Sequence, residues 1–325
     1  SFRLTSMTFR GGTTVGPECC DGLLVVGGTS NSFRMDHVKF DNPNQIAMAL
    51  NGAIHGVLDH NTFDMTSTSR FAVHTKHDTW PSGANVWGDG SFSNTVVLGT
   101  SQALFFENNI FIGSTNGQVI DGDGGCRVVF RYNTSGAAAG NHGTDTGGRH
   151  RGCRSLEVYN NTFSADGYNP ITGVGTIESA VLFRSGTGVV HNNTFTGFKN
   201  GILMATYRHP TLPGGPQTSA VWGICNGSNA WDGNVGPEVG YPCLDQPGRG
   251  KSDLLVGDSP TPAWPNQLSE PIYAWSNIWN EVPNETGLLM DGLTSGITVN
   301  RDYFTNTVKP GYVAYTYPHP LTSCH

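Results

Sequence analysis

At 325 residues, with 18 Lys and Arg against 25 Asp and Glu, the chain carries a formal charge of −7, which argues against partners that need a basic surface, nucleic acid and anionic membrane among them. No apolar run reaches membrane-spanning length. With 44 glycines, and 5 Lys beside 13 Arg, the composition disfavours a helical protein and favours a turn-rich all-β chain.

In chain order, Phe2 to Phe9 reads as strand from the outset, with no leader segment and no amphipathic helix ahead of it to cap the open sheet edge of a solenoid. Residues 1–63 read as the first rungs, with Leu23 to Val26 an additional short strand. Residues 64–101 break the rhythm with His74, His77, Asp78, Trp80, Trp87 and Asp89, as expected of a long excursion lining a binding face. Residues 103–200 hold the clearest repeats, two of them separated by a Gly-rich insertion over 136–151. Residues 206–270 are Pro- and Gly-rich, a loop-rich elaboration marked by Trp222, Cys225, Trp231 and Cys243. Strands return over 271–308, and the Tyr/Pro-rich segment 309–325 is expected to close the C-terminal end. The whole of 1–325 reads as a single domain.

The organising pattern is Ser155-Leu156-Glu157-Val158-Tyr159-Asn160-Asn161-Thr162-Phe163, repeated at Val57–Phe63, Phe105–Phe111, Val129–Thr134 and Val189–Phe195. Looser copies lie at Asp36–Phe40, Tyr273–Trp279 and Ile297–Asn300. Anchored on the second Asn, Asn61 to Asn109 spans 48 residues, twice 24; the next intervals are 24 to Asn133, 28 to Asn161 and 32 to Asn193. A short strand at such a period is a solenoid signature, because each copy is too short to bury its own apolar face and stacks on its neighbours. The fold expected is all-β: a single-stranded right-handed parallel β-helix of ~10 rungs, about 50 Å long, with Asn side chains laddered along it and a disulfide-stapled, loop-rich flank. A sandwich with several Asn-Thr turns is the competing fold.

Alternation sends neighbouring strand residues to opposite faces. Three positions before the anchor, Leu58, Phe106, Phe130, Val158 and Val190 are all apolar and should fill the core. Two positions before it, Asp59, Glu107, Arg131, Tyr159 and His191 (with Asp36 in the first copy) must face outward, since a stack of buried unpaired charges is prohibitive. Phe63, Phe111, Phe163 and Phe195 should turn back in as an aromatic row. The outward column reads either as an ordinary solvated face or as a row of groups able to bind and work on a sugar chain.

The densest polar cluster is Asp121, Asp123, Arg127, then His142, Asp145, Arg151, Arg154 and Glu157. Arginines among carboxylates suit an acidic polysaccharide, since a guanidinium pairs bidentately with a uronate. Arg131, His142, Asp145, Arg154 and Glu157 are the catalytic candidates; Glu107, Arg127, Arg151, Tyr159 and His191 are the substrate-binding ones. Asp121 and Asp123 are candidate Ca2+ ligands, although Asp-Gly-Asp-Gly is also a common tight turn. Of the 7 cysteines, Cys225 with Cys243 and Cys126 with Cys153 are the candidate disulfides. No C-x-x-C pair points to zinc. With five Asn-x-Ser/Thr sequons, at Asn133, Asn160, Asn192, Asn226 and Asn284, the cysteines favour a secreted protein. The loop tryptophans Trp80, Trp87, Trp222, Trp231 and Trp264 either stack on sugars or pack loops down. No P-loop, dinucleotide or Gly-x-Ser-x-Gly motif is present.

The Asn-Asn-Thr-Phe rungs resemble those of the pectate-lyase-like right-handed β-helix superfamily, which includes polysaccharide lyases, polygalacturonases and phage tailspikes. A narrower resemblance, to secreted bacterial β-helix proteins of unassigned function, rests on Arg127–Asn133, His142–Asp145, Arg151–Tyr159, Gly240–Gly250, Asn300–Phe304 and Tyr315–Leu321. The resemblance implies an extracellular protein that binds or cleaves polysaccharide, by β-elimination or hydrolysis if catalytic. The alternative is a structural or adhesive protein whose rung ends stack into a filament.

Overall fold

Short strands separated by tight corners coil the chain through three parallel sheets, visited in the same order on each turn. The computed structural model describes residues 2–11, 22–43, 45–66, 71–77, 96–113, 118–143, 152–165, 179–198, 200–205, 247–251, 268–280, 290–292 and 297–323. The first sheet stacks nine strands: Phe2–Thr5, Ser30–Asp36, Ile54–Asp59, Leu104–Glu107, Arg127–Arg131, Ser155–Tyr159, Thr187–His191, Ile272–Trp275 and Tyr303–Thr305. The second stacks eight, from Thr8–Arg10 through Thr62–Asp64, Ile110–Ile112, Thr134–Ser135, Thr162–Ser164 and Thr194–Thr196 to Ile278–Asn280. The third runs from Leu24–Gly27 through Val73–Lys76, Gln118–Asp123 and Ala138–Asn141 to Met290–Gly292. The chain is a parallel β-helix, with no α-helix among the described residues.

The Asn-Asn dipeptide makes the corner between the first and second sheets. The residue before each anchor is left-handed, with φ of 54–57° at His37, His60, Asn108, Tyr132, Asn160 and Asn192, a region where Asn is better tolerated than most side chains. The anchor turns inward and bonds along the stack. Asn109 N donates to Asn133 Oδ1 (2.9 Å), Asn133 N to Asn161 Oδ1 (2.8 Å) and Asn161 N to Asn193 Oδ1 (3.0 Å). Each side-chain amide also donates to a carbonyl of the preceding rung, Asn133 Nδ2 to Phe106 O at 2.9 Å for example. The ladder extends from Asn61 to Asn277.

Those bonds revise the rung count. Asn61 bonds directly to Asn109, and Gly56–Asp59 pairs with Leu104–Glu107, so the 48-residue interval is one rung carrying an insertion and not two rungs. Asn193 likewise stacks on Asn277 across 84 residues.

Phe9, Phe40, Phe63 and Phe111 stack with centroids 4.8–5.2 Å apart. The next rung has Ser135 in that position, and Phe130 leans into the gap, 5.4 Å from Phe111 and 5.7 Å from Phe163. Cys126 and Cys153 are disulfide-bonded with Cα atoms 4.6 Å apart. Gly122 makes room for them: a Cβ there would lie 2.5 Å from Cys126 Sγ. The Cys225 and Cys243 expected to staple the flank lie outside the described residues.

Candidate functional site

The first sheet delivers the outward column in register. Asp59, Glu107, Arg131, Tyr159, His191 and Trp275 are successive partners across the stacked strands. The column does not face solvent. The segment 309–323 runs back along the sheet and covers it, so the tail lies on the flank of the solenoid rather than over its last rung. Lys309 sits on the Tyr273 ring, the Tyr312 hydroxyl donates to Glu157 Oε2 (2.7 Å), and the backbone N–H of His319 donates to Glu107 Oε1 (2.9 Å). Farther along, Arg34 Nη1 donates to the Leu321 carbonyl (3.1 Å).

Arg131 is the pin. Its Nε and Nη2 donate to Glu107 Oε2 at 2.9 and 2.6 Å, and its Nη1 to the Tyr159 hydroxyl at 3.0 Å. It also donates to the carbonyls of Tyr315 and Thr316, at 2.7 and 2.8 Å. A guanidinium has five N–H donors, and here each is used within the chain. Both Arg131 and Glu107 are 0% exposed. Under the same strap Val57, Phe105 and Val129 form a second apolar cluster with Tyr159, packed by Tyr315 and Leu321. The catalytic reading of Arg131 therefore gives way to a structural one: the pair is buried because a backbone lies on it.

Glu157 is on this face too, one outward position back. It accepts from Gly99 N (3.0 Å) as well as Tyr312, and burial outweighs both bonds to raise its pKa. Gly99 (φ +77°) lies under the strap, where a Cβ would be 1.9 Å from the Val313 carbonyl. His191 is sandwiched between Tyr159 (4.8 Å) and Trp275 (4.4 Å), and burial lowers its pKa to about 4. His319 packs on Phe105 at 4.8 Å; burial, then Arg131, lowers it to about 4.

The other candidates lie elsewhere. Arg127 begins the strand that Arg131 ends, ~13 Å away at the usual rise. It belongs to a second polar region, at the corner where the third sheet hands over to the first. There Asp121 and Asp123 face outward on the third sheet, in register with His74 and Lys76. His74 Nε2 is 3.4 Å from Asp123 Oδ2, and although burial opposes it, Asp123 and Asp121 raise the imidazole pKa. Asp121 Oδ1 and His74 Nδ1 are buried here without a hydrogen-bond partner.

Arg154 pairs with Glu270 at 2.5 Å, while burial and the nearby Arg154 lower the pKa of Arg127. His55 and His77, half-buried, meet Nε2 to Nε2 at 3.3 Å. His142 follows the adjoining strand Ala138–Asn141 at this same corner: its backbone N–H donates to the Gly122 carbonyl, its carbonyl accepts from Cys153 N, and its ring is 3.1–3.2 Å from Arg184 Nη2. The candidates among the described residues are thus divided between the strapped face, which holds Glu107, Arg131, Glu157, Tyr159 and His191, and this corner, which holds Asp121, Asp123, Arg127, His142 and Arg154.

Asp145 and Arg151 lie outside the described residues. Among the described residues no group of three His, Cys, Asp or Glu side chains is arranged to hold a metal ion, and no helix is long and apolar enough to cross a membrane. Sequence reasoning did not single out His55, Arg34, Glu270 or Arg184. The strap residues Tyr312, Tyr315 and His319 carried one signal, a run of aromatics and prolines after the repeats end. No family model, curated protein or solved structure matches the chain.

Proposed function

We propose that this β-helix is an extracellular binding protein for acidic polysaccharide, and that it engages the chain at the corner between the third and first sheets. The observation that carries this reading is the crowding of cations there. Arg127 and Arg154 are buried near one another with Glu270 as their facing carboxylate, and Lys76 adds a third cation at a half-buried rim that it shares with the imidazoles of His55 and His77. Like charges held together favour an anionic guest, and a uronate carboxylate offers the two oxygens a guanidinium fork takes. Asp121 and Asp123 supply acceptors suited to sugar hydroxyls. The strapped column has no donor of Arg131 left for a ligand. The disulfide between successive rungs supports an oxidising, extracellular setting.

Affinity electrophoresis through polygalacturonate, alginate and neutral dextran tests the reading. Retardation by the polyuronates alone, weakened about tenfold (~1.4 kcal/mol) by Arg127→Gln, is the expected result. Equal mobility in all three gels, or an unaffected variant, would reject it. Release of unsaturated uronate during the same incubation would extend the activity from binding to β-elimination.

A further inference from the structure

We propose that His55 and His77 form a binding site for a divalent transition-metal ion, Zn2+ by ligand type, with water completing the coordination shell. His55 is the second residue of the strand Ile54–Asp59, and His77 follows the strand Val73–Lys76. The coil of the solenoid brings the two rings together with centroids 5.0 Å apart and planes inclined by 49°. Their Nε2 atoms are 3.3 Å apart. With Zn–N bonds of about 2.0–2.1 Å, that separation subtends roughly 105–110° at an ion placed between them, close to the tetrahedral angle.

The tautomer also suits a ligand. His55 Nδ1 lies 3.1 Å from Asn31 Oδ1. An amide oxygen only accepts, so the ring proton sits on Nδ1 and the Nε2 lone pair is turned toward His77. A second partner of this kind is the usual means of orienting a metal-binding imidazole. Without metal, one ring's N–H can bridge to the other. With metal, the ion takes that position and His77 carries its proton on Nδ1. Burial and the Arg127 charge both lower the pKa of His55, which keeps it neutral as a ligand must be. The same guanidinium opposes a bare dication, so the affinity expected is modest.

The molecule contains its own control. His37 and His60 are also stacked, 5.4 Å apart, but their planes are parallel within 4°. Their Nδ1 atoms are engaged by Asp36 and Asp59 at 2.9 and 3.1 Å. Parallel rings do not aim two nitrogens at one ion.

The test is calorimetric titration of the untagged, chelator-stripped full chain with ZnCl2, with the visible spectrum of added Co2+ reporting geometry. One equivalent should bind and Co2+ should give intense tetrahedral bands. His55→Asn and His77→Asn should each weaken binding at least ~10-fold, and Asn31→Ala ~10-fold by loss of the orienting partner. His60→Asn should change nothing. Far-UV circular dichroism should be native in all four variants. Absence of Zn2+ binding in the native chain overturns the proposal, as does binding that survives in the His55→Asn/His77→Asn double variant or is lost in His60→Asn. No polysaccharide is present in this titration, so its failure leaves the polysaccharide reading standing.

Discussion

The outer faces of the first and second sheets are built by the same repeat, three residues apart in each rung, yet they end in opposite environments. On the first sheet Glu107, Arg131 and Tyr159 are each no more than 1% exposed. On the second, the outward residues of the same rungs are Ile110, Thr134 and Thr162, paired in register. Ile110 there is 48% exposed. Both columns stack at the parallel spacing, and both alternate with core residues. What separates them is a segment some two hundred residues away: Arg131 bonds to Tyr315 and Thr316 across sequence separations of 184 and 185. Outward on a β-helix therefore means away from its core, not toward water.

The sharpest way to break the contrast is Arg131→Leu. It leaves Glu107 buried and unpaired and frees two strap carbonyls, and should cost about 3–5 kcal/mol in urea unfolding. Limited proteolysis should then cut first within 309–323. Thr134→Ala, three residues away on the bare face, should stay within about 0.5 kcal/mol; similar losses at the two positions would contradict the strap's role.

Next in size is Asn133→Ala, which orphans Asn109 N in the ladder and removes the bond to the Phe106 carbonyl. About 2–4 kcal/mol should be lost if each of the two abandoned groups costs ~1–2 kcal/mol, the lower part of the usual range. Asn133→Asp should recover only part, because a carboxylate accepts from Asn109 N but cannot donate onward.

A smaller effect separates the two faces by pH. His191 and His319, with ordinary values near 6.5, fall to about 4 when folded. The unfolded chain therefore binds more protons between those values. Their contribution is complete above pH 6.5 and is lost as pH falls toward 4. Glu157 acts oppositely: its raised value makes its contribution full below the unfolded carboxylate range and lost as pH rises through its folded value. Amide exchange across 309–323 should accelerate on acidification through the histidine window, while the second sheet stays protected. His319→Gln should flatten that response, and equal acceleration in both sheets would assign it to global unfolding. The smallest change is Ile110→Thr on the bare face, expected within about 0.5 kcal/mol by the same urea measurement.

The chain's own repeat was enough to read the solenoid, the Asn ladder, the Phe row, the apolar core positions and the Cys126–Cys153 pair. Each follows from local periodicity: a period of two chooses the face, and stacking makes like residues neighbours. Counting rungs by spacing alone failed between Asn61 and Asn109, because an insertion of one repeat's length imitates a repeat. The candidate site was legible only in composition. Glu107, Arg131 and Tyr159 do line up as their spacing implies, but the role assigned to them depended on solvent access. Access was decided by Tyr312, Tyr315 and His319, whose docking has no periodic signature. The corner of His55, His77 and Arg127 was hidden differently, since it joins the start of one sheet's strand to the end of another's, and the repeat specifies neighbours along a sheet and not across a corner. Local pattern thus determined which residues share a face. Only the tertiary path of the C-terminal segment and of the corners decided which of those faces is covered, because burial is a property of everything that packs on a residue.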